Sequence, residues 1–241
     1  MKLALFQIDV KYGDIKANSS LIKKQLLSFQ YDVAILPELC TSGSILLSKE
    51  HLQSFANSSD SLNFVDDLKK ISSMKNSAII FGFIEKAAHK YFNSAGIIKS
   101  DGTFLTQRKI NLPDFEKHLY SKGQRLKAFD FYGVKMGVLV CYDVWFDESF
   151  ETLISQGAKI IINIANFCGE DSIEKIVNQA KKFNVFIVVT NRVGMDHFNE
   201  HGIKYIGHSF IVDPLGNIVS QLGTQANVLT FDFDCVKRKI A

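Results

Sequence analysis

The segment Gly137-Val138-Leu139-Val140-Cys141-Tyr142-Asp143 decides how the rest of this chain is interpreted, because an uninterrupted apolar run ends abruptly on a cysteine. The run is too short for a helix and has the length and composition of a buried strand. A thiol at the end of such a strand lies at the edge of a sheet, where a pocket can form. The segment therefore predicts a strand from Val138 to Cys141 with a candidate nucleophile at its end.

Two other apolar runs also end on ionisable side chains. Val33-Ala34-Ile35-Leu36-Pro37 is followed by Glu38, and a second run begins at Thr103 after a turn and reaches Lys109. A carboxylate, an ammonium and a thiol thus each stand at the end of an apolar run. Together they are the groups that covalent acyl chemistry requires.

The chemistry follows from the roles that these groups can take. Glu38 would remove the thiol proton, Cys141 would attack a carbonyl or nitrile carbon, and Lys109 would stabilise the developing charge, with the backbone N–H of Tyr142 as a second donor. Taken singly, each residue also has an ordinary explanation: a packed cysteine or a solvated charge. Only their joint placement at the ends of apolar runs favours a catalytic site.

Composition narrows the class of protein. The chain has 241 residues, of which 46% are hydrophobic and 22% charged, and these values fit a single globular domain over 1–241. The net charge is +3 and the longest basic run is Lys237-Arg238-Lys239, so we expect neither a nucleic-acid partner nor a membrane partner. No apolar stretch approaches the roughly 20 residues of a bilayer span. Asp9 interrupts the N-terminal segment too early for a signal peptide, which predicts a cytoplasmic protein.

Cysteine and histidine spacing indicates free thiols and no metal site. Six histidines show no helical ligand spacing, and His197 and His201 fall in a predicted loop. No glycine-rich phosphate loop follows a strand, so we expect no cofactor. Four cysteines lie far apart without a Cys-x-x-Cys pair: Cys40, Cys141, Cys168 and Cys235.

Apolar runs alternate with amphipathic segments along the chain, as is typical of an α/β protein. Strands are predicted over Leu3 to Ile8, Val33 to Leu36, Ala78 to Ile84, Ser94 to Ile98, Val138 to Cys141, Lys159 to Ile164, Val185 to Thr190, Tyr205 to Val212, Ile218 to Gln221 and Val228 to Phe233. Helices are predicted over Ile15 to Leu27, Leu62 to Met74, Phe150 to Ile154 and Ile173 to Phe183.

Three segments together resemble the signature motifs of the nitrilase superfamily, the carbon–nitrogen hydrolases with a Glu-Lys-Cys triad. They are Leu36-Pro37-Glu38, Arg108-Lys109-Ile110-Asn111-Leu112 and Val140-Cys141-Tyr142-Asp143, in the family's order and at familiar separations. Shorter strings such as Tyr91-Phe92-Asn93-Ser94-Ala95 and Asn191-Arg192-Val193-Gly194 extend the resemblance over nearly the whole chain.

The resemblance implies a four-layer α-β-β-α sandwich, in which two mixed sheets pack face to face and helices cover both outer surfaces. It also implies hydrolysis of a small amide or N-carbamoyl compound through a thioester on Cys141, without a cofactor. Family members generally assemble through their outer helices, so a homodimer or a higher homo-oligomer is expected.

The resemblance also points to a second carboxylate. Many members carry a glutamate between the lysine and a following glycine, and here Glu116 precedes Gly123 at the familiar interval. A carboxylate near Lys109 would orient its ammonium and keep it charged, and would be able to contact the substrate amine. The alternative is an ordinary loop acid in the polar stretch 114–118.

Departures from the family pattern bear on the substrate. The ω-amidase-like branch, which is nearest in motif, usually has arginine where this chain has Trp145. An indole offers an apolar face and one donor, so an ω-dicarboxylate monoamide is less well supported as substrate. Tyr142 and Trp145, with Asn166 and Phe167 after a later strand, are the expected substrate contacts. In the family, the helix at the position of segment 179–183 carries residues that form an internal ion pair. Those residues are replaced in this chain, so we expect the ion pair to be missing.

Two other functions stay open from the sequence. A soluble acyltransferase would use the same thioester with an amine acceptor instead of water. A catalytically silent relative would act as a binding module, although such a protein has no chemical reason to keep Glu38, Lys109 and Cys141 together.

Overall fold

Residues 1–44, 48–198 and 201–233 are described in the computed structural model, and they contain two six-stranded sheets. The first sheet has the order β14 (Asn227–Asp232), β1 (Lys2–Gln7), β2 (Val33–Ile35), β3 (Ala78–Ala87), β4 (Lys90–Ile98), β5 (Phe104–Arg108). The second has the order β13 (Ile218–Gln221), β12 (Phe210–Val212), β9 (Phe186–Thr190), β8 (Ile160–Ile164), β7 (Val134–Val140), β6 (Ala128–Phe131).

Helices cover the outer face of each sheet. The first sheet packs against α1 (Ile15–Ser28) and α3 (Ser59–Lys75), and the second against α4 (Asp147–Ser155) and α5 (Asp171–Phe183). A shorter helix, α2 (Lys49–Asn57), precedes α3, and a separate hairpin consists of β10 (Met195–Phe198) and β11 (His201–Lys204). The α/β class expected from the sequence and the four-layer α-β-β-α sandwich implied by the family resemblance are therefore confirmed.

The sandwich explains why the strands appear as continuous apolar runs. In β1, Leu3 and Leu5 face the second sheet, whereas Ala4 and Phe6 face the helices. In β8, Ile162 faces the core between the sheets, whereas its neighbour Ile161 faces the helices. Successive side chains of a strand point to opposite faces, so a strand that is covered on both faces has no polar alternation.

Strand direction brings the ends of the predicted runs to one place. Strands β1, β2 and β3 run parallel in the first sheet, and β7, β8 and β9 run parallel in the second. Glu38 follows β2, Lys109 follows β5 and Cys141 follows β7. Because the two sheets pack face to face, residues from both can meet at this edge of the sandwich.

Every predicted strand and helix overlaps an observed one, but several elements were missed. The strand predicted over Tyr205 to Val212 begins only at Phe210, since Gly207 and His208 take left-handed backbone angles (φ +70° and +52°). The loop predicted around His197 and His201 is wrong, because the two residues lie on the paired strands of the β10–β11 hairpin. The other missed elements are β5, β6 and α2.

Some sequence predictions concern parts of the chain that are not described. Cys235 and the basic run Lys237-Arg238-Lys239 lie outside the described residues. Within residues 1–44, 48–198 and 201–233, no helix is long and apolar enough to cross a bilayer.

We expect Gly82→Ala to destabilise the protein and displace the segment that carries Glu38. A Cβ on Gly82, in β3, would lie 2.4 Å from Glu38 Cα and 2.4 Å from the backbone nitrogen of Leu39. These are backbone atoms that cannot rotate away, so the unfolding free energy should fall by about 1–3 kcal/mol or more in urea denaturation. Gly223→Ala is the control, because a Cβ there meets no atom within 4 Å; equal losses in the two variants would contradict the prediction.

Candidate active site

A buried ammonium group lies between two carboxylates at the edge of the sandwich. Lys109 Nζ is 2.9 Å from Glu38 Oε1 and 2.8 Å from Glu116 Oε1. Asn93, from β4, donates its Nδ2 to Glu38 Oε1 at 2.8 Å. The exposed fractions of Glu38, Lys109 and Glu116 are 2%, 1% and 8%. The structure thus brings Glu38 to Lys109 and Glu116, which are 71 and 78 residues further along the chain, and largely shields all three from water.

The electrostatics of this cluster keep Lys109 charged. Burial works against the ammonium, but the charges of Glu38 and Glu116 outweigh it and raise the pKa of Lys109 well above its ordinary value. The pKa of Glu116 is also raised, chiefly by burial, with Lys109 opposing the effect and Glu38 adding to it. Two carboxylates share one positive charge, so the second is less easily ionised than the first.

Cys141 lies at the start of a 3-10 turn, Cys141–Trp145, that follows β7 directly. Its φ is +47°, in the left-handed region that residues with a Cβ seldom adopt. The backbone of Asn166, which follows β8, favours the thiolate form of Cys141. The turn therefore ends the strand sharply and leaves the thiol between the second sheet and the Glu38–Lys109 cluster.

The resting thiol is protonated. Burial is the main cause that raises the pKa of Cys141 well above its ordinary value, and the negative charge of Glu38 adds to it. Lys109 and the Asn166 N–H oppose the shift without overcoming it. A nucleophilic thiolate would therefore form only when a base accepts the proton during attack.

Asp143 connects the nucleophile turn to the segment that follows Lys109. Its fully buried carboxylate accepts the backbone N–H groups of Asn111 (2.7 Å), Ile110 (3.1 Å) and Val140 (3.2 Å). Burial raises the pKa of Asp143 to about 6 against these donors and the charge of Lys109. Asp143 was not predicted as a site residue. Its contacts are with backbone N–H groups, and no sequence pattern reveals such contacts.

A cavity of about 550 Å³ opens over this cluster. Its base contains Glu38, Lys109, Glu116 and Cys141, and all four residues expected to contact substrate also line it: Tyr142, Trp145, Asn166 and Phe167. Further walls come from residues that the sequence analysis did not select: Ser44, Pro113, Phe115, His118, Leu119, Tyr120, Cys168, Gly169, Asp171, Ser172, Ile203 and Tyr205. Most of the surface that lines the cavity is apolar.

A second buried ion pair holds the hairpin that supplies part of this wall. Arg192 Nη1 lies 2.9 Å from Asp196 Oδ1, and both side chains are fully buried. The Tyr205 hydroxyl donates to Asp196 Oδ2 at 3.0 Å, and the Arg192 guanidinium lies 4.2 Å from the centre of the Tyr205 ring. Ser44 N–H donates to the same carboxylate at 2.9 Å. This network fixes Ser44 and Tyr205 at the cavity wall.

The altered segment 179–183 lies on α5 and contacts the end of the nucleophile turn. Gln179 Nε2 donates to the backbone oxygen of Val144 (3.3 Å) and to Asp147 Oδ1 (3.0 Å). Lys182 Nζ lies 2.5 Å from Asp147 Oδ2 in a pair that is largely exposed. An amide contact and a surface ion pair thus join α5 to the segment that follows the turn.

Asn93 and Tyr120 were not predicted as site residues, for different reasons. Asn93 stood within a string that carried the family resemblance, but nothing in the string indicated that its amide would bridge Glu38 and Glu116. Tyr120 lies one turn after Glu116, and nothing in the sequence distinguishes it from an ordinary buried aromatic residue. In the described part of the chain, no group of His, Cys, Asp or Glu side chains is arranged to bind a metal ion.

Comparison with known proteins identifies a family and relatives that this sequence resembles. The carbon–nitrogen hydrolase family model matches residues 2–238. An (R)-stereoselective amidase from a Pseudomonas species is 26% identical over 98% of this chain and 87% of its own length. An N-carbamoylputrescine amidase from Solanum lycopersicum is 32% identical, and the match covers 65% of this chain and 60% of that protein.

A solved structure supports the same fold. A CN-hydrolase superfamily protein from Xanthomonas campestris, with an arsenic adduct in its active site, superposes with a TM-score of 0.85 at 21% identity. The superposition covers 99% of this chain and 92% of that one.

We expect Glu38→Gln to make the Cys141 thiol more reactive. The substitution keeps the shape but removes the negative charge that raises the pKa of Cys141, while Lys109 remains nearby. The thiolate fraction at pH 7 should rise at least about threefold, since one pKa unit changes it tenfold. Modification of Cys141 by methyl methanethiosulfonate, a small uncharged reagent, can be followed by peptide mass spectrometry.

Exposed Cys168 in the same protein is the internal control for this measurement. Its modification rate should be equal in the two proteins. An unchanged reaction at Cys141 would show that Glu38 does not act on the thiol, and a slower reaction would show that Glu38 acts as a base and not through its charge.

Proposed function

Since this chain belongs to the carbon–nitrogen hydrolase family, we propose that it cleaves a non-peptide carbon–nitrogen bond in a small amide or N-carbamoyl compound through a thioester on Cys141. The observation that carries the proposal is the buried Lys109 ammonium, held by Glu38 and Glu116 at the base of the cavity that Cys141 also lines. The names of the relatives, an amidase and an N-carbamoylputrescine amidase, agree with this substrate class.

Acylation follows from the protonation states of the cluster. Glu38 takes the Cys141 proton as the sulfur attacks the carbonyl carbon, because burial makes a free thiolate unfavourable. The Lys109 ammonium and the backbone N–H of Tyr142 stabilise the oxyanion. Glu38 then returns the proton to the leaving nitrogen as the carbon–nitrogen bond breaks.

Deacylation uses the same groups in reverse. Glu38 removes a proton from water, the water oxygen attacks the thioester carbon, and the thiol is restored as the acid leaves. Base, nucleophile and oxyanion donors are all protein groups, so the reaction needs no cofactor. Glu116 holds the Lys109 ammonium throughout, and Lys109 remains charged in every step.

The walls of the cavity favour a substrate without negative charge. Trp145, Phe115 and Phe167 supply apolar surface. Among the described lining residues, Lys109 is the one lysine or arginine, and two carboxylates already pair with it. Asp171 adds a further acid to the wall. A carboxylate on the acyl chain would lose its hydration without gaining a cationic partner, which is unfavourable.

We expect Cys141→Ala to abolish ammonia release from small amides and N-carbamoyl compounds. The unmodified protein, quenched rapidly during turnover, should carry the acyl group on the peptide that contains Cys141, and Cys168 should carry none. Intact-mass and peptide analysis measure both. Turnover that persists in Cys141→Ala, or the absence of any reactive compound in a broad ammonia-release screen, would end the proposal. Turnover that depends strongly on an added amine would favour acyl transfer instead.

We also expect discrimination against anionic substrates. Between pentanamide and the monoamide of glutaric acid, kcat/KM should favour the neutral compound by at least about tenfold, because the carboxylate meets no free cation. Asp171→Asn should narrow this gap about twofold to fivefold, as is typical of an exposed charge. Neighbouring Glu170→Gln is the control, since Glu170 does not line the cavity. A preference for the glutaric monoamide would contradict this account.

A further inference from the structure

Tyr120 places an unpartnered hydroxyl at the cavity that contains the catalytic cluster. The residue is 5% exposed and lines the cavity, and among the described residues its buried hydroxyl has no hydrogen-bond partner. The charged groups that act on this hydroxyl are Glu116, Glu38 and Lys109. A polar atom that the protein leaves open beside the reacting groups is available to substrate or to water.

Glu116 has an open atom of the same kind. Lys109 holds its Oε1 at 2.8 Å, while its buried Oε2 has no partner in the described part of the chain. The backbone N–H of Tyr120 donates to the backbone oxygen of Glu116 at 2.9 Å, which fixes the two residues one turn apart. An acceptor oxygen beside Lys109 and a hydroxyl one turn further along the chain thus belong to two residues that line the same cavity.

Leaving such atoms unsatisfied is costly. A buried polar group without a partner loses its hydration and gains no hydrogen bond, so buried polar atoms in native proteins are normally satisfied. Water or ligand is the available partner where the atoms line a cavity. The two atoms are complementary, since a carboxylate only accepts hydrogen bonds whereas a hydroxyl both donates and accepts.

We propose that the Tyr120 hydroxyl and Glu116 Oε2 hold first the leaving amine and then the hydrolytic water. The proposal rests on the amidase function proposed above. The departing amine would donate N–H groups to both oxygens. The water that replaces it would accept the Tyr120 O–H and donate its two protons to Glu38 and Glu116, which satisfies every partner.

The hydrolytic step balances without any further reactant. The water oxygen forms a bond to the thioester carbon as Glu38 takes one of its protons. The carbon–sulfur bond then breaks, its electron pair passes to the Cys141 sulfur, and Glu38 returns the proton to that sulfur. Tyr120 keeps its own proton and positions the water throughout, so the phenol need not ionise.

The experiment compares Tyr120→Phe with Tyr12→Phe. Tyr12 belongs to the same apolar cluster as Tyr120 and also has a buried, unpartnered hydroxyl, but it does not line the cavity. Tyr120→Phe should slow thioester hydrolysis about tenfold, which corresponds to the loss of one hydrogen bond to the reacting water. Acylated Cys141 should accumulate in rapidly quenched samples of this variant, and Tyr12→Phe should match the unmodified protein.

A partition measurement separates positioning from structural damage. In the presence of hydroxylamine, the ratio of hydroxamate to acid should rise in Tyr120→Phe, because hydroxylamine is the stronger nucleophile and depends less on being held. The ratio does not depend on how much protein is folded. An unchanged ratio or hydrolysis rate in Tyr120→Phe, or an equal effect in Tyr12→Phe, would overturn the proposal while leaving the amidase function intact. Failure of the unmodified protein to acylate Cys141 would instead overturn the function itself.

Discussion

The rest of the site depends on the two ion pairs that the buried Lys109 ammonium forms with Glu38 and Glu116. Removing one member of a buried ion pair leaves an uncompensated charge, which costs about 3–5 kcal/mol. The end of β2, the end of β5 and the 3-10 turn Asp114–Glu116 are therefore held together by charge balance. Burial is the main cause that raises the pKa values of both Glu116 and Cys141, and the negative charge of Glu38 adds to it.

The two sheets contribute different groups to the site. Glu38 and Lys109 follow strands of the first sheet, whereas Cys141 follows a strand of the second, so the distance from the proposed base to the proposed nucleophile depends on how the sheets dock. Asp143 controls this docking at the site, because its carboxylate bonds to the backbone of Ile110 and Asn111 after β5 and to Val140 at the end of β7. The charged cluster holds the base, and a neutral network of backbone donors sets the position of the nucleophile.

The sequence predicted most of the sheets because strands that are covered on both faces appear as uninterrupted apolar runs. Helix α2 was missed because it has only nine residues, and its two buried residues, Leu52 and Ala56, are too few to establish a helical period. The β10–β11 hairpin was missed because it stands apart from both sheets and leaves Met195 and Ile203 exposed. Glu38, Lys109 and Cys141 were found from their position at the ends of runs. Asn93 and Tyr120 were not, because their importance depends on which atoms lack partners.

The left-handed backbone at Cys141 limits how this nucleophile can diverge in evolution. A residue with a Cβ pays about 1–3 kcal/mol to hold such an angle, and a β-branched side chain fits it worst. Serine carries its oxygen on an unbranched Cβ and meets the same backbone as cysteine does, whereas threonine adds a methyl group that the turn disfavours. The backbone therefore allows replacement of this cysteine by serine but disfavours replacement by threonine. This steric limit is independent of the difference in nucleophilicity between a thiol and a hydroxyl.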